Sequence, residues 1–401
     1  MSEHPWLTII GLGEDGPDGL SPASLAALEA AEIVMGPPRH LSLLPDLHGE
    51  TRVWPVPFAD GVAQLMALRG RRVAVLASGD PFWFGAGRVL ARVLAPEEWR
   101  AFPGLSCFAL AANRLGWALE TTTCLGCHAA PLSRLRPHLH DGARLIVTLR
   151  DATGPEALAA YLDAQGFAES RLHVMEALGG PRERVTSWTA AELEEHAEAE
   201  FAAPLCVAVA VAGAGRAMPK AGGLSDDWFD HDGQITKRPV RALTLSTLAP
   251  RPMEHLWDIG GGSGSIAIEW LLTHPMTEAT TVEIDPARAA RITQNAARLG
   301  VDRLRVEQGD ALEVIDRLAP PDAVFVGGGL SEALLQRLSE RAKGARLVAN
   351  AVTLESEMLL TQWQARLGGD LLRLALSEVT PLGRKRGWRS SYPIVQWSVT
   401  L

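Results

Sequence analysis

The sequence predicts an α/β protein of two domains, and three observations carry that prediction. Short apolar runs of strand length alternate with helical patterns through both halves of the chain. Between the halves, residues 214–232 lose all period and gather Gly, Pro and acidic residues, the composition of a linker. Only in the second half does a strand-like run end in a burst of glycine and restart at once as an apolar helix, LWDIGGGSGSIAIEW from Leu256 to Trp270. The boundaries therefore read 1–213 for the first domain, 214–232 for the linker and 233–401 for the second.

A chain of 401 residues is long enough for two separate cores. Its 47% apolar and 21% charged residues are those of a soluble globular protein. The opening MSEHPWLTIIGLG reads as a first buried strand rather than a signal peptide. The longest apolar run, PLCVAVAVAG, is about half of a membrane span. A soluble, cytoplasmic protein is the expectation. Up to Ala212 there are 25 acidic residues against 16 Arg and no Lys, and the remainder carries 22 of each sign. No basic stripe is present, which argues against a nucleic-acid partner. Arg outnumbers Lys 34 to 4; the excess accompanies abundant Ala, as codon usage dictates, and would also suit a substrate bearing several carboxylates. Cys124-Leu-Gly-Cys127-His128 matches the C-x-x-C-H haem-attachment pattern. The third and fourth ligands of a zinc site are missing nearby, so no metal is expected.

In the first half, Leu7–Ile10, Val73–Ala77, Leu145–Leu149 and Leu205–Val211 are buried-strand candidates. Helical stretches such as SPASLAALEAAEIV lie between them. Another helix starts at Thr189, where TAAE forms a capping box with Glu192. The second half opens with GQITKRPVRALTLSTL, a helix with Pro239 in its first turn. Seven strand candidates follow: His255–Ile259, Ala279–Ile284, Leu304–Gln308, Asp322–Val326, Ala345–Asn350, Leu371–Glu378 and Tyr392–Val399. Helical patterns separate the first six, predicting a parallel sheet. The last pair is joined by PLGRKRGWRSS without a helix, predicting an antiparallel hairpin at the sheet.

A strand, a glycine turn and a helix N-terminus make a nucleotide crevice in an open parallel sheet. Gly260, Gly262 and Gly264 let backbone approach a ligand that a Cβ would push away. Read from Gly262 the turn also matches G-x-G-x-x-A, so by itself it leaves an NAD(P)-dependent reductase open. Glu283 ends the second strand, where a carboxylate can accept both hydroxyls of an adenosine ribose. Asp310 and Ala311 end the third, where an acid and an amide can meet an adenine. Together these positions resemble the adenosyl cradle of the seven-stranded, Rossmann-like class I methyltransferases. From Gly233 to Leu401 the chain further resembles the cobalamin-pathway C15 methyltransferase/decarboxylase domain, through GQITKRPVRALTLSTL with Thr236, NAVTLES from Asn350 and the closing YPIVQW. This resemblance implies S-adenosylmethionine as cofactor, held by Thr236, Gly260, Gly262, Gly264, Glu283, Asp310 and Ala311.

The first half resembles the tetrapyrrole methylases, a two-lobed class III fold, in LTIIGLGEDGPDGLSPASLAALEAAEIVMGPPRHLSLLP, VLASGDPFWFGAGRVLARVL and FPGLSCFALAANRLGW. That resemblance implies a second S-adenosylmethionine site lined by Ser78, Gly79, Asp80, Trp83, Ser106, Cys107 and Leu149. CLGCH replaces the His-Gly-Arg sequence common in those relatives. The two domains in this order resemble the fused enzymes of vitamin B12 synthesis. They imply methylation of precorrin-6Y at C5 by the first domain, and at C15 with loss of the ring C acetate carboxylate by the second, giving precorrin-8. The resemblance also implies a homo-oligomer through the second domain.

Methyl transfer needs alignment more than a covalent intermediate, and no nucleophilic triad is legible. Decarboxylation needs an electron sink, which a conjugated macrocycle supplies, and a cation or acid to place the acetate. Arg238, Arg241, Arg384 and Lys385 are the candidates. A methyltransferase for another acceptor and a noncatalytic tetrapyrrole carrier are the competing readings.

Overall fold

Leu7–Leu12 (β1) is buried at every position and apolar except at Thr8, as expected of a strand covered on both faces. It lies inside a five-stranded sheet with Ile33–Gly36 (β2), Glu50–Val53 (β3), Val73–Ser78 (β4) and Trp99–Phe102 (β5), in the order β3-β2-β4-β1-β5. Every pairing in it is parallel. The protein is described by a computed structural model covering residues 5–196 and 198–401.

A second five-stranded sheet follows: Thr123–Gly126 (β6), Arg144–Thr148 (β7), Arg171–Glu176 (β8), Arg184–Thr189 (β9) and Leu205–Ala210 (β10). Its order is β6-β7-β10-β8-β9, with only the first pair parallel. Glu192 and Thr189 close the predicted capping box at the helix Ala190–Glu195. These two sheets form one compact unit, which runs to Leu132 and resumes over His138–Arg216.

The other unit holds Ser133–Pro137 and Ala217–Leu401. Its seven-stranded sheet comprises His255–Ile259 (β11), Glu278–Glu283 (β12), Arg305–Gln308 (β13), Ala323–Val326 (β14), Arg346–Ala351 (β15), Asp370–Leu374 (β16) and, after a separate hairpin, Ile394–Thr400. The hairpin is Ser377–Leu382 (β17) with Lys385–Ser390 (β18), so the last strand is β19. The sheet order is β13-β12-β11-β14-β15-β19-β16. The first five strands are parallel, and β19 runs antiparallel to both neighbours. Two helix-covered cores sandwich the sheet, one around Trp270 and Ile292 and the other around Trp257 and Trp397.

Two expectations change here. The last two sheet strands do pair antiparallel, but the stretch between them is itself a hairpin turned at Gly383-Arg384, where Gly383 takes φ +61°. β17 and β18 are exposed on both faces, so no buried apolar alternation announced them in the sequence. Residues 214–232 are irregular but packed: Met218, Leu224, Trp228 and Phe229 belong to the core around Trp270. Side chains replace the missing ladder bonds. Glu269 accepts from the amides of Gly223 and Leu224 at 2.5 and 3.0 Å, and Arg298 donates to the Trp228 carbonyl. Satisfied in this way, a backbone without regular structure can be buried. No helix among the described residues is long and apolar enough to cross a membrane.

Candidate active sites

The parallel strands of the seven-stranded sheet end on a cavity of about 530 Å³. The turn after β11 places Gly260, Gly262 and Gly264 at φ +73°, +59° and +76°, a region that favours glycine. They serve different ends. A Cβ on Gly260 would stand 2.8 Å from the Gly328 backbone, and one on Gly262 would stand 3.1 Å from the Gln234 carbonyl. Both glycines line the cavity. Gly264 lies outside the lining; its Cβ would press on Ile292 at 2.7 Å, so it serves helix packing.

Glu283 ends β12 and is buried. Its Oε2 accepts from the Gly262 amide at 2.8 Å and its Oε1 from the Asp285 amide at 3.0 Å. Each carboxylate oxygen retains a lone pair, so the group is oriented yet able to accept again. Beneath it, burial pushes the Asp258 carboxyl up to about 7, with Glu283 adding to the rise and bonds from the Ala267 backbone and Thr281 opposing it. Asp310 caps the short helix Ala311–Val314 by accepting from the Leu312 amide at 2.8 Å. Ala311 occupies the first helical position, where an amide has no partner within the helix. Thr236, Asp310 and Ala311 all line the cavity.

The four cationic candidates lie elsewhere. Arg241 is wholly buried, bonded through Nε to Glu269 at 2.6 Å and to the carbonyls of Thr236 and Leu224. It braces the Thr236 loop from behind and stands outside the lining of this cavity. Arg238 is exposed, its amide donating to Asp226 at 3.0 Å. Arg384 and Lys385 sit on the exposed hairpin outside the lining. Lys237, between Arg238 and Thr236, does line the cavity, with its Nζ 3.5 Å from Asp226. The sequence marked the right loop, but Lys237 reaches the lining from the extended position just before the helix Arg238–Leu248.

Two other groups are not assigned to the site from the sequence, although NAVTLES marks one of them as a point of family likeness. Gly327–Gly329, at the end of β14, form a second glycine turn opposite Gly260; the run VGGGL was its signal. Asn350, on β15 opposite Gln396 of β19, also lines the cavity. Its Oδ1 accepts from Gln396 at 2.9 Å and its Nδ2 donates to Thr244 at 3.0 Å. Gln396 donates to the same Thr244 hydroxyl at 3.1 Å. Thr244 and Gln396 are buried, so the amide is fixed with one N–H to spare.

In the first unit, β1 to β5 end on a larger cavity, about 890 Å³. Ser78, Gly79, Asp80, Trp83, Ser106 and Cys107 line it. Gly79 has φ +51°, and a Cβ there would meet the Leu105 carbonyl at 2.7 Å. Asp80 accepts from the Phe82 amide at 2.8 Å. Ser106 caps the helix Cys107–Leu115 by accepting from the Ala109 amide. Leu149 is buried against Gly154 and does not reach the cavity. His128 of the CLGCH loop does. Cys124 and Cys127 are free thiols, and burial raises Cys124 to about 11.

Both cavities thus lie at the carboxyl ends of parallel strands, with glycine backbone where a Cβ would intrude and fixed acceptors beside it. The second cavity in particular presents a buried carboxylate, Glu283, already held by two amides. Residues 6–194 match the family of tetrapyrrole (corrin/porphyrin) methylases and residues 227–401 match the precorrin methyltransferase domain. Fold and site define a chain of two methyltransferase domains joined in tandem. A decarboxylating precorrin-6Y C(5,15)-methyltransferase from a Sinorhizobium species is 48% identical over 99% of this chain and 96% of its own length. One from Mycobacterium tuberculosis is 39% identical over 98% and 99%. The chain belongs to the precorrin-6Y C5,15-methyltransferase (decarboxylating) family. The crystal structure of the C-terminal domain of such an enzyme from Rhodobacter capsulatus shares 52% identity, covering 45% of this chain and 98% of that one, with a TM-score of 0.44.

Proposed function

We infer that this chain is a bifunctional S-adenosylmethionine-dependent C-methyltransferase of cobalamin biosynthesis. It methylates precorrin-6Y at C5 and C15 and removes the ring C acetate carboxylate as carbon dioxide, giving precorrin-8. The observation that carries this is similarity to such an enzyme over essentially the whole chain. The second domain acts at C15 and on the acetate, and the first acts at C5. Each has its own donor site. Ser78, Gly79, Asp80, Trp83, Ser106 and Cys107 hold the donor in the first; Thr236, Gly260, Gly262, Glu283, Asp310 and Ala311 hold it in the second.

The donor supplies an already electrophilic methyl carbon, so the protein's task is to align the acceptor carbon and exclude water. Glu283 accepts from the donor's ribose, and Asp310 with the Ala311 amide meets its adenine. Decarboxylation sends the electron pair of the broken C–C bond into the conjugated macrocycle. Lys237 and the oriented Asn350 amide place the departing carboxylate. Lys237 takes over the role first assigned to Arg238, Arg241, Arg384 and Lys385.

Titration of the intact chain with S-adenosylhomocysteine tests the two-site reading. Two sites are expected, one of them lost in Glu283→Ala; a single site in the parent chain refutes it. Self-association through the second domain is supported by the hairpin β17–β18, a two-stranded sheet on its own with Trp388 75% and Leu382 70% exposed. Such a ribbon is marginal without a partner. Light scattering should find an oligomer that Trp388→Glu dissociates; a monomeric parent refutes the assignment.

A further inference from the structure

The five strands that end on the first cavity divide it chemically. β4 and β5 lead into Gly79, Ser106 and Cys107, whereas β1, β2 and β3 lead into Glu14, Arg39 and an apolar wall of Trp54, Val56 and Phe58. Arg39 is held on three sides. Its Nη1 donates to Glu14, and its Nη2 donates to His40 Nε2 at 2.7 Å and to Ser78 Oγ at 3.0 Å. Guanidinium can only donate, so Nε2 is the acceptor and the neutral ring carries its proton on Nδ1. Burial, reinforced by the adjacent Arg39, lowers His40 to about 4, which keeps the ring an acceptor at neutral pH.

The buried Glu14 also receives Arg182 at 3.1 Å. One carboxylate thus faces two guanidiniums, and the trio retains one positive charge. A structural ion pair would need only one arginine. Beside this cation Val56 is 95% and Phe58 39% exposed, with the buried Trp54 stacked on Phe58. A fixed guanidinium next to an uncovered apolar wall fits a ligand with a broad apolar body and carboxylates on its rim.

We propose that Arg39 is the carboxylate subsite for an acetate or propionate side chain of the macrocycle in the C5 reaction. Glu14 and His40 are its positioning residues, and Val56 and Phe58, backed by the buried Trp54, seat the ring. The proposal rests on the assignment of this cavity to methyl transfer at C5.

The test uses the full-length chain with the macrocycle as substrate and S-adenosylhomocysteine as the donor-site probe. Arg39→Met should raise the KM for the macrocycle at C5 by about 10–100-fold and change the S-adenosylhomocysteine titration less than about twofold. The once-methylated, decarboxylated product should accumulate. Arg39→Lys should recover part of the loss, since it restores charge without the bidentate fork. Val56→Glu, at an exposed position, should mimic Arg39→Met by repelling the same carboxylate. An unchanged macrocycle KM in both Arg39→Met and Val56→Glu overturns the proposal, as does a parallel loss at the donor site. Gly79→Val separates the underlying reading: if that chain still methylates C5, this cavity is not the C5 site, whatever Arg39 does.

Discussion

Replacing Arg241 by Leu should destabilise the second unit by about 3–5 kcal/mol, the usual cost of stranding one partner of a buried ion pair. Arg241 has no exposed surface and Glu269 is nearly as buried. The stranded carboxylate would keep only the Gly223 and Leu224 amides. The carbonyls of Thr236 and Leu224 would lose a donor, each worth about 1–3 kcal/mol if left dry. Partial relaxation and overlap between these effects hold the total near the upper end of the ion-pair range. Arg241→Leu combined with Glu269→Leu removes both charges and should cost less than Arg241→Leu alone plus Glu269→Leu alone. The assay is urea denaturation of the full chain, following the second unit by amide hydrogen exchange of its own peptides. Because Arg241 braces the Thr236 loop, the single variant should also weaken S-adenosylhomocysteine binding at that unit. Strict additivity in the double-mutant cycle would refute the coupling. Stability matching the parent chain, with activity abolished, would return Arg241 to the role of substrate contact.

Three further outcomes are expected. Glu283→Gln should weaken S-adenosylhomocysteine binding at the second unit by about 10–100-fold, because hydrogen bonds to a charged acceptor contribute about 1.5–3 kcal/mol; calorimetry reads it. Lys237→Met should raise the KM for the macrocycle about tenfold and leave more methylated product undecarboxylated, which mass spectrometry resolves. Asp258 titrates near 7 in the fold against 3.8 ordinarily, so the folded chain binds that proton more tightly than the unfolded one. Its favourable contribution is complete below pH 3.8 and is lost as pH rises towards 7, amounting to about 4 kcal/mol at 1.36 kcal/mol per unit. The stability difference between the parent and Asp258→Asn should therefore tilt towards the variant across that window, and a pH-independent difference would refute it.

Much of the two-domain plan was legible because it rests on local signals. β1, β4, β10 and β11 are apolar runs of strand length, and such runs are buried wherever helices cover both faces of a sheet. Glycine at 260 and 262, Glu283 and Asp310 fall at strand ends in the sequence, and the parallel topology carries strand ends to one edge. That is why three segments distant along the chain meet at a single cavity. The hairpin β17–β18 was not legible, since strands without a buried face leave no period. Gly264 and Leu149 looked alike to their neighbours in sequence but face packed helices and core.

The order of the elements, the position of the glycine turn and the acidic ends of its neighbouring strands are short-range properties of the chain, and so could be read from residue order alone. Long-range packing set which cation lines the cavity, Lys237 and not Arg238 or Arg241, buried residues 214–232 against the core, and placed Arg39 between Glu14, His40 and Ser78. Those outcomes depend on how the segments pack and on which side chains satisfy buried backbone groups. Both are settled by contacts between residues far apart in sequence, which no local pattern encodes.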